Sequence, residues 1–441
     1  MDSQSNVVPL SRAERRRRVR VARGGQAPDL ARILKEDGLS ALAYQTGTAT
    51  LLQLMQAEVD QQCGVAGKWE QNPHQRLGYR NGSGPGAVWI GGRYVAFERP
   101  RAVLTKAAGG GEIILESYLA AQDPAFASDA VLTALVLGVS QRCYPKVVDA
   151  VNPVGEVEAR NLSKSAIGRQ FIAASSQYLK TFLSRKLSQR YLVVWVDAVA
   201  AGGYSALAAV GLTETGEKQV LGLRQCSSEG AAECREFLEE LVERGLSEQG
   251  VLFVVDGGKG LGVAIREVFG PNVLVQRCQI HKKRNVLDKL PESARDVVGL
   301  KLEEIWSCHS PQLALAKLEL LARSLEAQKE TSAAARSLRE GGRDLLTCCI
   351  LGVPPALLAT VTNTNVIESA FSLHESTAYR VKRWRNGKQF LRWVAAGLYR
   401  AEKGFVRQSD SESLAKLAHA LTSYAETRGK ATTGPRLKLA S

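Results

Sequence analysis

The stretch VLFVVDGGKGLG, residues 251–262, joins an apolar run to a glycine-rich turn and sets one acidic residue, Asp256, at the junction. Two chemistries begin this way: a carboxylate at the end of a buried strand holds a divalent cation, and a glycine-rich loop after a strand cradles phosphate. The spacing decides against the second. A dinucleotide loop needs G-x-G-x-x-G and a Walker loop G-x-x-x-x-G-K-S/T, whereas here Gly258, Gly260 and Gly262 alternate and Lys259 is followed by glycine. In YLVVWVDAVA (191–200), Asp197 likewise interrupts an apolar run. An unpaired charge there is costly to bury, so Asp197 belongs at a cleft with a compensating cation. Asp256 belongs at the carboxyl end of its strand, where ligand sites of α/β sheets gather. Two such aspartates on neighbouring strands share a hard divalent ion, Mg²⁺ by preference. The segment TNVIESAFS (364–372) supplies a third carboxylate, Glu368, on a helix whose apolar side faces the core. The two aspartates are 59 residues apart, and 112 residues separate Asp256 from Glu368.

The elements that must position these groups are legible in the patterning. YLVVWVDAVA, YSALAAVGLT (204–213) and KQVLGLRQC (218–226) read as strands separated by turns at Gly202-Gly203 and Glu214-Thr215-Gly216. The amphipathic segment 231–245, the strand 251–255, a further helix and the strand 273–278 follow. Three meandering strands, then helix, strand, helix and strand, is the element order of a ribonuclease-H-like core. Residues 279–360 turn almost wholly helical, so a helical insertion precedes the last acidic residue. The expected fold is therefore α/β: this core and its insertion, preceded by a mainly helical DNA-binding region.

Upstream, RAERRRRVRVAR (12–23) reads as a phosphate-gripping arm or as a solvated face, and 28–62 has helical spacing. Residues 80–104 alternate glycine turns with β-rich runs and read as a hairpin. Between 129 and 185 three helical patterns follow one another, punctuated by Gly138 and by Pro153-Val154-Gly155. Ser163 reads as the N-cap of a helix carrying Lys164 and Arg169, the arrangement of a helix-turn-helix reader of the major groove. A basic bundle without groove contact is the competing reading. The expected segments are a basic arm (1–27), a helical and hairpin region (28–125), a helix-turn-helix-like region (126–187), the first part of the core (188–278), the helical insertion (279–360), the last core helices (361–405) and a C-terminal tail (406–441).

Lys plus Arg total 58 against 44 for Asp plus Glu, a net charge of +14 over 441 residues, which favours a polyanionic partner, nucleic acid first. A basic helix is expected from Arg380, Lys382, Arg383, Arg385 and Lys388, with Trp384 and Trp393 interleaved; tryptophan packing beneath a solvated cationic face is the alternative. Lys282, Lys283 and Arg284 form a second cluster of the same kind. The 8 cysteines include no CxxC pair, which argues against a disulfide framework or a four-cysteine zinc site. Cys278 and His281 carry half a zinc site's ligands; a buried thiol beside a helix-starting histidine fits equally well. No apolar run approaches a membrane span of about 18–20 residues and no signal-peptide core is present, so a cytoplasmic, nucleoid-associated protein is expected.

The words VDAV around Asp197, LFVVDGGKGL around Asp256, VQRCQIHKKRNVLDKLP (275–291), TNVIES (364–369) and RVKRWRNGKQFLRWVAAGL (380–398) resemble, in order and spacing, the mutator-type bacterial insertion-sequence transposases of the insertion-sequence 256 class. The resemblance spans about 190–405. It implies a DDE transposase with Asp197, Asp256 and Glu368 as its catalytic and metal-binding triad, and Mg²⁺ as cofactor with Mn²⁺ as a substitute. It makes Cys278 and His281 a family signature that shapes the active site or contacts DNA. The implied partners are double-stranded DNA, as element terminal inverted repeats and target, and further copies of the chain in a homodimer or larger assembly. The implied reaction cleaves element ends and joins the freed 3′-OH to target DNA by two-metal phosphoryl transfer. Departures at Ala198, Ala200, Val366, His374 and Glu375 leave every triad carboxylate in place. The alternative is a decayed or domesticated copy that binds DNA without chemistry.

Overall fold

The computed structural model describes residues 38–64, 77–90, 93–151, 159–160, 163–227, 230–378 and 381–432. The expected arm at 12–23, the punctuation at 153–155 and Arg380 lie outside them. The chain divides into two compact units, Met1–Ala174 and Ser175–Ser441.

In the first unit, helix α1 (Gly38–Cys63) packs Met55 and Val59 against Ala102 of an antiparallel hairpin, β1 (Gly78–Ile90) and β2 (Arg93–Leu104). The hairpin expected at 80–104 is thus present, with a register shift between Arg80 and Ser83 around Gly82 (φ 66°). A two-residue strand, β3 (Ala159–Arg160), pairs with β2. Among the described residues, helices α2 (Glu116–Gln122), α3 (Pro124–Val136), α4 (Tyr144–Val151) and α5 (Lys164–Ser184) follow the hairpin, the last running across the division between units. Ser163 caps α5 as its sequence position suggests, its Oγ accepting from the Ala166 N–H at 3.2 Å.

The second unit is built on a mixed five-stranded sheet of order β6-β5-β4-β7-β8. Strands β4 (Tyr191–Ala201), β5 (Tyr204–Thr213) and β6 (Lys218–Cys226) form an antiparallel meander, and β7 (Leu252–Val255) and β8 (Leu274–Arg277) continue the sheet from β4 in parallel. The β4–β5 turn is two residues long, and Gly202 and Gly203 both take positive φ (58° and 82°), the backbone that suits the twist of a tight hairpin. Helices α6 (Ala231–Glu243) and α7 (Lys259–Phe269) cover one face. Cys234, Phe237, Leu238 and Leu241 recur at helical spacing along α6 and bury against Val194, Val196 and Phe253.

Between β8 and the last helices lies the expected helical segment: α8 (Gln279–Leu287), α9 (Glu292–Trp306), α10 (Pro311–Glu326), α11 (Ser332–Gly341), α12 (Thr347–Ile350) and α13 (Pro355–Val361). It has a core of its own, including Val286, Leu302, Leu318 and Leu338. Buried Gln276 ties it to the sheet, donating to the Leu345 carbonyl (3.0 Å) and accepting from the Cys348 N–H (2.9 Å).

The opposite sheet face is covered by α14 (Asn365–Ala378), α15 (Gly387–Gly404) and α16 (Ser411–Thr432). Helix α16 corrects one expectation. Residues 406–441 read as a tail, yet Leu414, Leu417 and Leu421 recur at helical spacing and are buried in this core. The apolar stripe was present in the sequence but is short against its polar surroundings. Among the described residues, no helix is long and apolar enough to cross a membrane.

Candidate active site

Asp197 and Asp256 are set by strand register. Strands β4 and β7 pair in parallel with Val193 opposite Leu252, Val194 opposite Phe253 and Trp195 opposite Val254, a constant offset of 59 residues. The difference 256 − 197 is also 59, so the same register carried past the end of β7 sets the backbones of Asp197 and Asp256 at one level of adjacent strands, which lie about 4.8 Å apart. Strand alternation puts Asp197 on the side of Val193 and Trp195, and Asp256 on the side of Leu252 and Val254, the sheet face covered by α14. Both residues are half-buried. Asp256 Oδ1 accepts from the Gly258 N–H at 2.9 Å and Asp197 Oδ1 from the Ala198 N–H at 2.8 Å, which fixes one oxygen of each.

Glu368 stands in the first turn of α14. That helix start is fastened to β4 two residues before Asp197: the buried Trp195 indole donates to the Asn363 carbonyl at 3.0 Å. Asn363 Oδ1 in turn accepts from the Asn365 N–H (3.0 Å), and the Thr364 carbonyl from the Glu368 N–H (3.0 Å). Two further backbone bonds draw β8 and α8 to the same place. Cys278 N–H donates to the carbonyl of Val255, the residue before Asp256 (2.8 Å), and Gln279 N–H donates to the Thr362 carbonyl (2.9 Å). Trp195, Asn363 and Thr364 are positioning residues that patterning missed. An Asn-Thr pair ahead of an apolar helix is a start signal that would have marked the last two.

Cys278 caps α8, its Sγ accepting from the His281 N–H at 3.5 Å. The Glu368 carboxylate faces this pair. Thr364 Oγ1 donates to Glu368 Oε1 and lies 3.4 Å from His281 Nδ1, which is 3.8 Å from the same carboxylate oxygen. Among the described residues, Cys278, His281 and Glu368 form the group whose ligand atoms all lie within 4.8 Å of one another; the two aspartates are not part of it.

The glycine loop has a structural reason. Gly257 has φ 108°, and a Cβ there would fall 1.8 Å from Arg277 Nη2. Arg277 donates to the Gly257 carbonyl (3.1 Å) and to Glu340 Oε1 (2.6 Å), so it is held against the loop. Lys282 shares that partner, donating to Glu340 Oε2 (2.5 Å) and to the Ser337 carbonyl (3.0 Å). Burial would raise the Glu340 carboxyl, but its bonds to Arg277 and Lys282 hold it below the usual carboxylate range.

Lys282 therefore corrects the expected surface cluster. It is 2% exposed, its ammonium lowered in pKa by burial, and it joins α8 to α11 instead of facing solvent. A lysine among polar neighbours in sequence does not reveal that its helix turns that side to a second helix. Lys283 pairs with Glu303, and Arg284 is exposed. Lys164 and Arg169 are exposed on α5. The expected basic helix is a second correction: residues 381–386 are not helical, and α15 begins at Gly387. Lys382, Arg383 and Arg385 project from this extended stretch and Lys388 from the first turn of α15, all exposed. Trp384 is buried, with ring centroids 5.4 Å from Phe390 and 6.4 Å from Trp393. Asn386 ends the stretch as N-cap, accepting from the Gln389 N–H at 2.9 Å.

Comparison with known proteins bears on this arrangement. The transposase for insertion sequence element IST2 of Acidithiobacillus ferrooxidans is 28% identical over 200 residues, 45% of this chain and 66% of the relative. The transposase for IS256 in transposon Tn4001 of Staphylococcus aureus is 29% identical over 252 residues, covering 54% and 60%. The transposase for ISRM5 of Rhizobium meliloti is 30% identical over 280 residues, covering 61% and 65%. The chain thus spans somewhat under two thirds of the length of these relatives. A solved Drosophila P element transposase strand transfer complex is similar at 10% identity and a TM-score of 0.36, over 65% of this chain and 93% of that one. The pattern described as "Transposase, Mutator family" matches residues 26–405, a span that takes in both aspartates, the Cys278–His281 turn and Glu368. With so much of its length matched, the chain belongs to the mutator family of transposases.

Proposed function

We propose that this protein is a DNA transposase that cleaves the ends of an insertion sequence and joins the freed 3′-OH to target DNA, with Asp197, Asp256 and Glu368 as its catalytic carboxylates. The observation that carries the reading is the shared offset of 59 between the β4–β7 register and the two aspartates. Chance placement of one acidic residue within β4 and another just past the end of β7 does not require the two to share one register level and one sheet face. We read the five-stranded sheet as a ribonuclease-H-like core and α8–α13 as its insertion.

Two half-buried carboxylates on one sheet face fit hard divalent cations, and Asp197, Asp256 and Glu368 are the residues that would hold a pair of Mg²⁺ ions. When bound, such a pair supplies Lewis-acid stabilisation of charge on the attacking and leaving oxygens of an in-line displacement at phosphorus. The chain's part is positional. Asp197 and Asp256 are held by strand register and by the bonds to Ala198 and Gly258, which limits the reorganisation those two need, whereas Glu368, on a helix start tethered through Trp195 and Asn363, turns from Cys278 and His281 to join them. Water attacks the phosphodiester at the element end, its oxygen bonding to phosphorus while the 3′-oxygen leaves as a hydroxyl. That hydroxyl then attacks a target phosphodiester at the same carboxylates, displacing a second 3′-oxygen. Lys382, Arg383, Arg385 and Lys388 bind backbone phosphate, and α5, through Lys164 and Arg169, reads the terminal repeat.

Purified full-length protein, incubated with labelled element ends, target DNA and Mg²⁺, tests this. Joined products are expected. Ends bound but uncut would mean a DNA-binding protein without chemistry, and ends cut but never joined a nuclease; either result overturns the proposal.

A further inference from the structure

We infer that Cys278, His281 and Glu368 form a binding site for a borderline divalent cation, Zn²⁺, distinct from the aspartate pair. The three ligand atoms, a thiol sulfur, an imidazole nitrogen and a carboxylate oxygen, lie within 4.8 Å of one another. Around a tetrahedral zinc with ligand bonds of about 2.0–2.3 Å, donor atoms stand roughly 3.5 Å apart. His281 Nδ1 and Glu368 Oε1 are already at 3.8 Å, so the cluster closes on an ion by side-chain adjustment alone. The supporting backbone is rigid: Cys278 and His281 occupy the first turn of α8, Glu368 the first turn of α14, and the Gln279 N–H bond to the Thr362 carbonyl (2.9 Å) clamps the two helix starts together. Thr364 supplies outer support, its hydroxyl donating to Glu368 Oε1 beside His281.

The donor set selects the metal. Mg²⁺ takes oxygen ligands, whereas thiolate with imidazole suits zinc, and binding itself displaces the thiol proton. Helix capping does not explain the sulfur, since serine, threonine, aspartate or asparagine caps a helix better than cysteine. Cys278 is 1% exposed, while the side chains of His281 (25%) and Glu368 (40%) give an ion a path in from solvent. Three protein ligands leave one position open for water or a phosphate oxygen. Glu368 also belongs to the proposed catalytic triad. On that reading, zinc held here withholds Glu368 from the aspartates, and Zn²⁺ restrains the Mg²⁺-dependent reaction.

Co²⁺ is the probe, because a cobalt–thiolate bond absorbs in the near ultraviolet and Zn²⁺ displaces the cobalt. The full chain is expected to take up one Co²⁺ with this absorption, and the Asp197→Asn/Asp256→Asn double variant to keep it. Cys278→Ser should lose the absorption. Glu368→Gln and His281→Ala should weaken Co²⁺ binding by about 100-fold or more, since even outer partners of a metal site are worth about 10–100-fold. No thiolate absorption in the wild type, absorption unchanged in Cys278→Ser, or its loss in the double aspartate variant would overturn the site. Should Cys278→Ser fail to fold by circular dichroism, Glu368→Gln decides, and unchanged affinity overturns it. DNA cleavage is measured separately, so a protein that binds cobalt but cuts no DNA retains this site and loses the transposase reading.

Discussion

At the scale of single residues, the site depends on side chains whose environment leaves them few alternatives. Gly257 combines a left-handed backbone with a packed Arg277 guanidinium where a Cβ would stand. Gly257→Ala should destabilise the protein by about 1–3 kcal/mol through backbone strain, read as a lower urea midpoint, and should weaken cleavage by displacing Asp256. An unchanged midpoint would mean that the loop relaxes freely. His374 is a second such residue, fully buried on the stripe Ile367, Ala370, Phe371, with its ring 6.3 Å from Trp384 and 5.8 Å from Phe390. Gly397 lets α15 approach it, because a Cβ there would fall 2.9 Å from the His374 Cβ. Burial pushes the His374 pKa down from 6.5 to about 4, opposed by a hydrogen bond to the Trp393 backbone. The unfolded chain therefore binds this proton more readily than the folded one. The stability involved is fully present above about pH 6.5 and is lost as pH falls toward about 4, with a slope approaching about 1.4 kcal/mol per pH unit. Urea denaturation between about pH 5 and 6.5, above most carboxylate titration, should show that slope in the wild type and a flatter one in His374→Leu. Equal slopes would contradict it.

At the scale of elements, the sheet holds two cores apart and α14, α15 and α16 close the one that faces the carboxylates. Leu417 of α16 is wholly buried there, and Leu417→Ala should cost about 2–5 kcal/mol in chemical denaturation, far more than a tail residue would. The elements that sequence patterning located were those with one dominant period. Strands β4, β5 and β6 carry apolar runs bounded by glycine turns, and observed and expected limits differ by at most a residue. Helix α6 was plain from its apolar spacing. What patterning missed depends on partners distant in the chain. Lys282 is buried because Glu340 and Ser337, more than fifty residues on, meet it across the insertion. The stretch 381–386 is extended because Trp384 docks against Gly202, where a Cβ would meet the indole at 2.4 Å, and because Asn386 caps the next helix. Around the candidate site, the strand that carries Asp197, the strand that leads into Asp256 and the helix that carries Glu368 were legible. The turn of Glu368 toward Cys278 and His281 was not, since it follows from the Trp195–Asn363 and Gln279–Thr362 bonds between segments far apart in sequence.

At the scale of the whole molecule, a net charge of +14 is a statement about partners. Binding to duplex DNA should fall steeply with salt, and fluorescence anisotropy should show the log–log slope shrinking by about 1 for each phosphate contact removed at Lys382, Arg383, Arg385 or Lys388. Lys282→Met should leave that slope unchanged, because its ammonium is engaged by Glu340 inside the fold. A change as large as that of the exposed residues would place Lys282 on the DNA after all. On the proposed function the charge would bring DNA to the protein, and the reaction would rest on carboxylates that hold metal directly. Asp256→Cys tests that most sharply, since thiolate binds Mg²⁺ poorly and accepts the softer Mn²⁺. With DNA binding intact, strand cleavage by Asp256→Cys should drop by about a thousandfold or more in Mg²⁺ and recover substantially in Mn²⁺. Equal activity in the two metals, whether high or absent, would contradict a direct bond between Asp256 and the catalytic ion.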